Sequence, residues 1–233
     1  MMKLDKVTNG TTDATKRWYD DACGTALALA LTGERWALLV MRELLLGPRR
    51  FGELRSSLPG ISANVLTQRL EGLEANGILV RERLGPPINA QVYRLTDWGL
   101  ESETMVLELG RWALRSPQHD PSLPFSAAAL VLSFKMLLVP ERANGMDVAI
   151  GIRCGDDRFH VQVAGNQLSL ARGEHRDEAA VIAGAPNDFL PVMHGGLSLA
   201  GSALKVEGSV AAAMRFLSLF ALPPKLGADE PRS

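Results

Sequence analysis

The chain has 233 residues, 46% of them hydrophobic and 22% charged, with a formal net charge of −1 and two cysteines. That length favours two domains of about 100 residues, and the composition is that of a soluble globular protein. Cys23 and Cys154 are too few for a disulfide framework and lack zinc-site spacing, and the polar start and the lack of a long apolar run point away from a signal peptide and a membrane span, so a cytoplasmic protein is expected.

Residues 1–19 read as a flexible tail. From Asp21 the run Ala22, Ala26, Leu27, Leu29, Ala30 predicts a first helix ending at Thr32-Gly33, and Glu34 to Leu46 predicts a second that stops at Gly47-Pro48. A third helix is expected near Phe51 to Leu58. Pro59-Gly60 ends it, because Pro cannot extend a helix and Gly supplies the turn. Ser62 then offers its hydroxyl to the open N–H groups of a fourth helix, along which Leu66, Leu70 and Leu73 form a buried stripe.

Asn64, Thr67, Gln68 and Glu71 fall on the opposite face of that fourth helix. Asn and Gln amides can both donate to and accept from an adenine edge in the major groove, and Ser62 and Thr67 can bond phosphate or base. After Asn76-Gly77, two strands at Ile78 to Val80 and Val92 to Leu95 flank a Gly-Pro-Pro turn at 85–87. Two helices and a hairpin make a winged helix-turn-helix. Residues 47–96 hold seven Arg against four Glu, net +3, as a phosphate-contacting module requires. Arg49 and Arg50 before the third helix and Arg81 and Arg83 on the wing are the expected backbone contacts, with ion pairing to residues such as Glu53 as the alternative.

The run WALLVMRELLLGPRRFGELRSSLPGISANVLTQRLEGLEANGILVRE, with Cys23 and Gly33-Glu34-Arg35-Trp36 before it, resembles the HxlR-type transcriptional regulators, relatives of the MarR-type winged-helix proteins. The likeness covers about residues 22–116; the wing departs from it, with Leu84-Gly85-Pro86-Pro87-Ile88-Asn89 in place of a longer loop. The resemblance implies a homodimer paired through flanking helices. A last helix from Asp97 to Arg115, capped by Thr96, carries Met105, Leu109 and Trp112 as its apolar stripe and expected dimer contact, with packing on its own domain as the alternative. Two recognition helices one DNA turn apart would read a palindromic operator in double-stranded DNA. In several HxlR-type regulators the cysteine at the position of Cys23 senses oxidants or electrophiles; an inert buried cysteine is the competing reading.

Ser116 to Pro124 has three prolines in nine residues and reads as a linker, placed at 117–125 between a DNA-binding and dimerisation domain at 20–116 and a second domain at 126–222; residues 223–233 read as a tail. Ser126 to Val139 is apolar around nearly its whole circumference and should be buried on more than one side. Strands are expected at 147–153, 158–164, 167–172, 179–183 and 205–208, with helices at 186–194 and 209–220 and a helical turn at 200–204. The expected fold is a mainly α winged helix-turn-helix followed by an α+β domain with a small, mostly antiparallel sheet.

The stretch DEAAVIAGAPNDFLPVMHGGLSLAGSALKVEGSVAAAMRFLSLF resembles the sterol-carrier-protein type-2-like domain. That resemblance implies an apolar tunnel for a hydrophobic small molecule, with Leu130, Phe134, Leu137, Met214, Phe216 and Phe220 as walls; ordinary core packing is the alternative. Cys154, beside a turn, reads as incidental. His119, His160, His175 and His194 lack metal-ligand spacing, and no nucleophile, phosphate-loop or dinucleotide motif occurs, so neither metal, cofactor nor enzymatic activity is expected. The leading expectation is a homodimeric regulator, in the repressing sense, switched by a hydrophobic effector. Two others stand beside it: a redox regulator acting through Cys23, and a lipid carrier that uses the winged helix only for dimerisation.

Overall fold

The computed structural model describes residues 19–86, 89–174 and 177–226. Of the tails expected at 1–19 and 223–233, residues 1–18 and 227–233 lie outside the described residues, as do Pro87 and Ile88 of the wing turn and His175. The N-terminal part runs α1 (Gly24–Thr32), α2 (Ala37–Leu44), α3 (Phe51–Ser57), α4 (Ala63–Ala75), β1 (Leu79–Leu84), β2 (Ala90–Leu95), α5 (Asp97–Glu101) and α6 (Glu103–Ala113). Strands β1 and β2 pair antiparallel with Leu79 opposite Leu95, forming the wing.

The leucine stripe of α4 forms one side of the N-terminal core. Leu66, Leu70 and Leu73 are buried with Val40, Met41 and Leu44 of α2, Leu54 of α3, and Ile78 and Leu95 beside and on the wing. Two helices differ from the sequence expectation. The second starts at Ala37 rather than Glu34, because Trp36 adopts the left-handed conformation at φ 79°, which no helix continues. The helix expected over Asp97 to Arg115 is interrupted at Ser102, whose hydroxyl donates to the Gly99 carbonyl at 2.6 Å and competes with the helical pattern. Gly99 itself is required there: a Cβ would lie 2.1 Å from the Ile78 carbonyl oxygen.

The C-terminal part runs α7 (Ala127–Leu137), β3 (Val148–Cys154), β4 (Asp157–Ala164), β5 (Gln167–Arg172), β6 (Ala180–Ala183), α8 (Pro186–Met193), β7 (Lys205–Gly208) and α9 (Val210–Leu217), with short 3-10 turns at Pro140–Ala143 and Leu199–Gly201. Its sheet has the order β5-β4-β3-β6-β7, antiparallel except for the parallel β3–β6 pair. The fold is thus a helical winged helix-turn-helix and an α+β domain with a mixed five-stranded sheet.

Helix α7 is buried on most sides, as its all-round apolar sequence requires. The side chains expected to wall a tunnel divide. Leu130, Phe134, Leu137, Phe216 and Phe220 are buried and pack as core, with the Phe134 ring 4.8 Å from Phe220 and 5.2 Å from Phe216. Met214 lies on the outer face of α9 and is 57% exposed, so it is no part of that layer. Met214 lies four residues before Ser218, itself exposed, whereas Ala213, Phe216 and Leu217 make up the buried side of the helix.

The two parts are joined by polar contacts as well as by packing. Glu43 of α2, 1% exposed, is held by its neighbour Arg42 at 2.8 Å and accepts a 2.6 Å hydrogen bond from the hydroxyl of Ser126, the N-cap of α7. Lys135 of α7 reaches Glu103 of α6 at 2.5 Å. At the chain's far end the Lys225 ammonium donates to the carbonyls of Leu114 and Ser116, and the Leu226 N–H to that of Arg115.

Candidate nucleic-acid interface

The helix-turn-helix is built by local chemistry. The chain leaves α3 through Pro59 and Gly60, the latter at φ 90°, and Ser62 begins α4 by accepting a 3.2 Å hydrogen bond from the Val65 N–H. With the leucines turned inward, Ser62, Asn64, Thr67, Gln68 and Glu71 are all exposed. Four of these are the side chains expected to meet DNA, and one helix brings them together on a single free face. Arg69, between them in sequence, is instead half-buried and paired with Glu34 at 3.1 Å, which ties α4 to the segment before α2.

The four expected backbone cations do not share one environment. Arg50 and Arg83 are exposed. Arg81 is exposed as well, but its guanidinium pairs with Glu74 at 3.3 Å and lies 5.6 Å from the Tyr93 ring. Arg49 corrects the expectation. Its side chain is 9% exposed and engaged within the chain: Nη1 donates to Asp157, the first residue of β4, at 2.6 Å and Nη2 to the Ser57 hydroxyl at 3.3 Å. Asp157 also pairs with Arg172 of β5, so one carboxylate lies between two guanidiniums. Burial, and next the nearby Arg49, hold Arg172 below the usual guanidinium range. Sequence could not reveal this arrangement, since Asp157 lies 108 residues from Arg49.

Helix α6 has no buried residue. Met105, Leu109 and Trp112 are all exposed, Trp112 by 71%, and Trp98 and Leu100 of α5 and Leu27 and Leu29 of α1 add further exposed apolar surface. Packing within one chain covers part of Met105 and Leu109 and little of Trp112. Cys23 is exposed at the N-cap of α1, where the backbone N–H groups of Thr25 and Ala26, then the Thr25 side chain, lower its thiol pKa. Cys154 is the opposite case. It is buried at the end of β3, and burial pushes its thiol up to about 12. Among the described residues no three His, Cys, Asp or Glu side chains converge as a metal site, and no helix is long and apolar enough to cross a membrane.

Residues 31–120 match the HxlR-like helix-turn-helix family. The HTH-type transcriptional regulator YvaP of Bacillus subtilis (strain 168) is 34% identical over 96 residues, which are 41% of this chain and 86% of that protein. The HTH-type transcriptional regulator YodB of the same organism is 36% identical over 86 residues, 37% of this chain and 77% of that one. Among solved structures, the reduced form of YodB from B. subtilis aligns with a TM-score of 0.38 at 33% identity, over 42% of this chain and 98% of that one. The redox regulator HypR in its oxidized form aligns with a TM-score of 0.37 at 32% identity, over 39% and 94%. The family match ends at residue 120, before α7 begins. With its winged helix-turn-helix and relatives matched over most of their length, the chain belongs to the HxlR family of DNA-binding transcriptional regulators.

Proposed function

We propose that the chain acts as a homodimer on a palindromic operator, with Asn64, Thr67 and Gln68 of α4 reading base edges and Ser62, Arg50, Arg81 and Arg83 holding the DNA backbone. The observation that carries this is the single exposed polar face of α4 set on a buried leucine stripe. The exposed apolar side chains of α1, α5 and α6 support pairing of two chains, because exposed apolar surface in quantity marks an interaction site. Residues 126–222 form the sensory half, a reading supported by the element order expected of a sterol-carrier-like domain and by the Ser126–Glu43 and Asp157–Arg49 bonds to the winged helix. An electrophoretic shift assay on the DNA upstream of the gene tests the reading. A retarded band that sharpens at low salt is expected, and no retardation at any salt concentration would sink it.

A second reading, control through Cys23, is favoured by that thiol's exposure and lowered pKa. Its operator affinity would then respond to oxidant in the wild type and not in Cys23→Ser. An equal response in both rules the thiol out.

A further inference from the structure

The turn between α1 and α2 carries a cation that the fold does not use for itself. Arg35 is exposed there, and no carboxylate among the described residues pairs with it. Its guanidinium carbon instead lies 5.4 Å from the centre of the Trp36 ring. We infer that Arg35 is a further DNA contact, bonding a phosphate at the rim of the major groove that α4 enters, from a platform made by the Trp36 indole. The inference rests on the DNA-binding reading above and adds to it a residue outside both the helix-turn-helix and the wing.

Position comes first. Glu34, the residue before Arg35, pairs with Arg69 on the flank of α4 at 3.1 Å, and the Asn76 side chain, at the end of α4, donates to the Leu31 carbonyl at 3.3 Å. The end of α1 and the turn after it are therefore tied along α4. The Trp36 indole reaches the other end of that helix: a Cβ built on Gly60 would lie 3.9 Å from Trp36 Cη2, and Gly60 stands two residues before Ser62, the N-cap of α4. Arg35 is thus set beside the first turns of α4, the part of a recognition helix that meets base edges. A helix with its side chains is about 10–12 Å across and the major groove about 12 Å wide. A cation standing off the flank of α4 consequently meets the phosphates of the rim rather than the bases.

The backbone of the turn is shaped for this. Trp36 has a φ of 79°, a left-handed conformation that strains a bulky residue and persists only where the surroundings fix it. The Glu34–Arg69 pair fixes it, with the Ala37 N–H donating to the Glu34 carbonyl at 3.0 Å. A right-handed Trp36 would let α2 run back through Arg35 and carry that side chain round the helix; the left-handed residue keeps Arg35 on a turn outside it. The indole then attracts the guanidinium through its π face and takes up no hydrogen-bond donor. Side-chain freedom is reduced before DNA arrives, while the five N–H groups of the planar fork remain for a phosphate. Arg69, Arg81 and Arg94 are each engaged by a glutamate, whereas the charge of Arg35 is uncommitted.

The test is fluorescence-polarisation titration of the full chain against a duplex from upstream of the gene and an unrelated duplex of equal length, across about 50–200 mM salt. Arg35→Met keeps an apolar stem over the indole and removes the charge. It should weaken binding roughly tenfold at the low end of that range and flatten the slope of log affinity against log salt by about 0.9 for each half-site, on both duplexes alike. Circular dichroism and thermal unfolding should stay at wild-type values, and Arg35→Gln should reproduce the result, which separates lost charge from a folding effect of either replacement. Arg35→Lys keeps the charge and should keep the slope. Arg215→Met, which removes an exposed cation of the second domain, should leave it unchanged as well. An unchanged slope in Arg35→Met, a slope in Arg35→Lys as flat as in Arg35→Met, a loss confined to the upstream duplex, or equal flattening in Arg215→Met each overturn the inference. Wild-type binding with no effect of Arg35→Met removes this contact alone, whereas a wild type that binds neither duplex at any salt sinks the regulator reading along with it.

Discussion

Replacing Asp157 by Asn removes the anion that separates two guanidiniums at the domain junction. Arg49 and Arg172 are 9% and 19% exposed and Asp157 is 24% exposed, so none of the three is solvated as a free ion would be. Removing one member of a buried pair costs about 3–5 kcal/mol. The partial exposure of Asp157, and Glu53 Oε2 at 3.6 Å from Arg49, reduce this to roughly 2–3 kcal/mol. Urea unfolding of the wild type, Asp157→Asn, Arg49→Gln and the double variant measures it, with a coupling energy of about 1–2 kcal/mol expected because the side chains touch. The same proteins separate the structural role of Arg49 from a phosphate contact. Losing a phosphate contact changes the slope of log affinity against log salt by about 0.9. Arg50→Ala should show that change and Arg49→Gln should not. Coupling below about 0.5 kcal/mol, or a salt slope in Arg49→Gln as flat as in Arg50→Ala, would refute the placement of Arg49.

Gln68→Ala should cost about 1–3 kcal/mol of operator affinity at one base position and leave others unchanged, read from a panel of single-base operator variants; a uniform loss would contradict base reading. Arg83→Ala should weaken all sequences alike, and more than Arg81→Ala does, because Arg81 is already engaged by Glu74 at 3.3 Å. Trp112→Glu places a charge in the exposed apolar face of α6 and should shift the protein to monomer in sedimentation, with operator affinity falling alongside; an unchanged dimer locates the interface elsewhere. The two cysteines should titrate in opposite directions. The Cys23 pKa is lowered by backbone N–H groups, so iodoacetamide should modify it faster in the folded chain than in urea at pH values between the lowered value and the ordinary 9.0. By linkage the stability gained is complete above the unfolded value and is lost as the pH falls through the folded one. Cys154, buried with its thiol near 12, should remain unmodified until the chain unfolds.

What the sequence could show was local. The spacing of Leu66, Leu70 and Leu73, the Pro59-Gly60 turn, and the caps Ser62 and Thr96 each depend on neighbours within a few residues, and each stands in the structure as read: the two hydroxyls accept the N–H groups of Val65 and Gly99. The strands of the second domain were legible for the same reason, since alternation and turn residues are properties of short windows. Partnerships across the chain were not. The basic count over 47–96 treats every Arg as available, and nothing near Arg49 in sequence announces Asp157 or Arg172. Helical spacing likewise told which residues of α7 and α9 are apolar but not whether they enclose space or fill it; Phe134, stacked on Phe220, fills it. The parallel β3–β6 pairing was hidden because residues 155–179 lie between the two strands.

The return of the chain end to α6 has a bearing on how the two halves communicate. The last carbonyls of a helix are ordinarily left to water, yet here Leu114 and Ser116 accept from the Lys225 ammonium and Arg115 from the Leu226 N–H. Residues after α9 therefore brace the helix that carries Trp112. Any rotation of the second domain pulls on the winged helix at two places: at α2 through the Ser126–Glu43 bond, and at the tip of α6 through Lys225. A protein cut after residue 222 would keep every strand and helix and lose that brace.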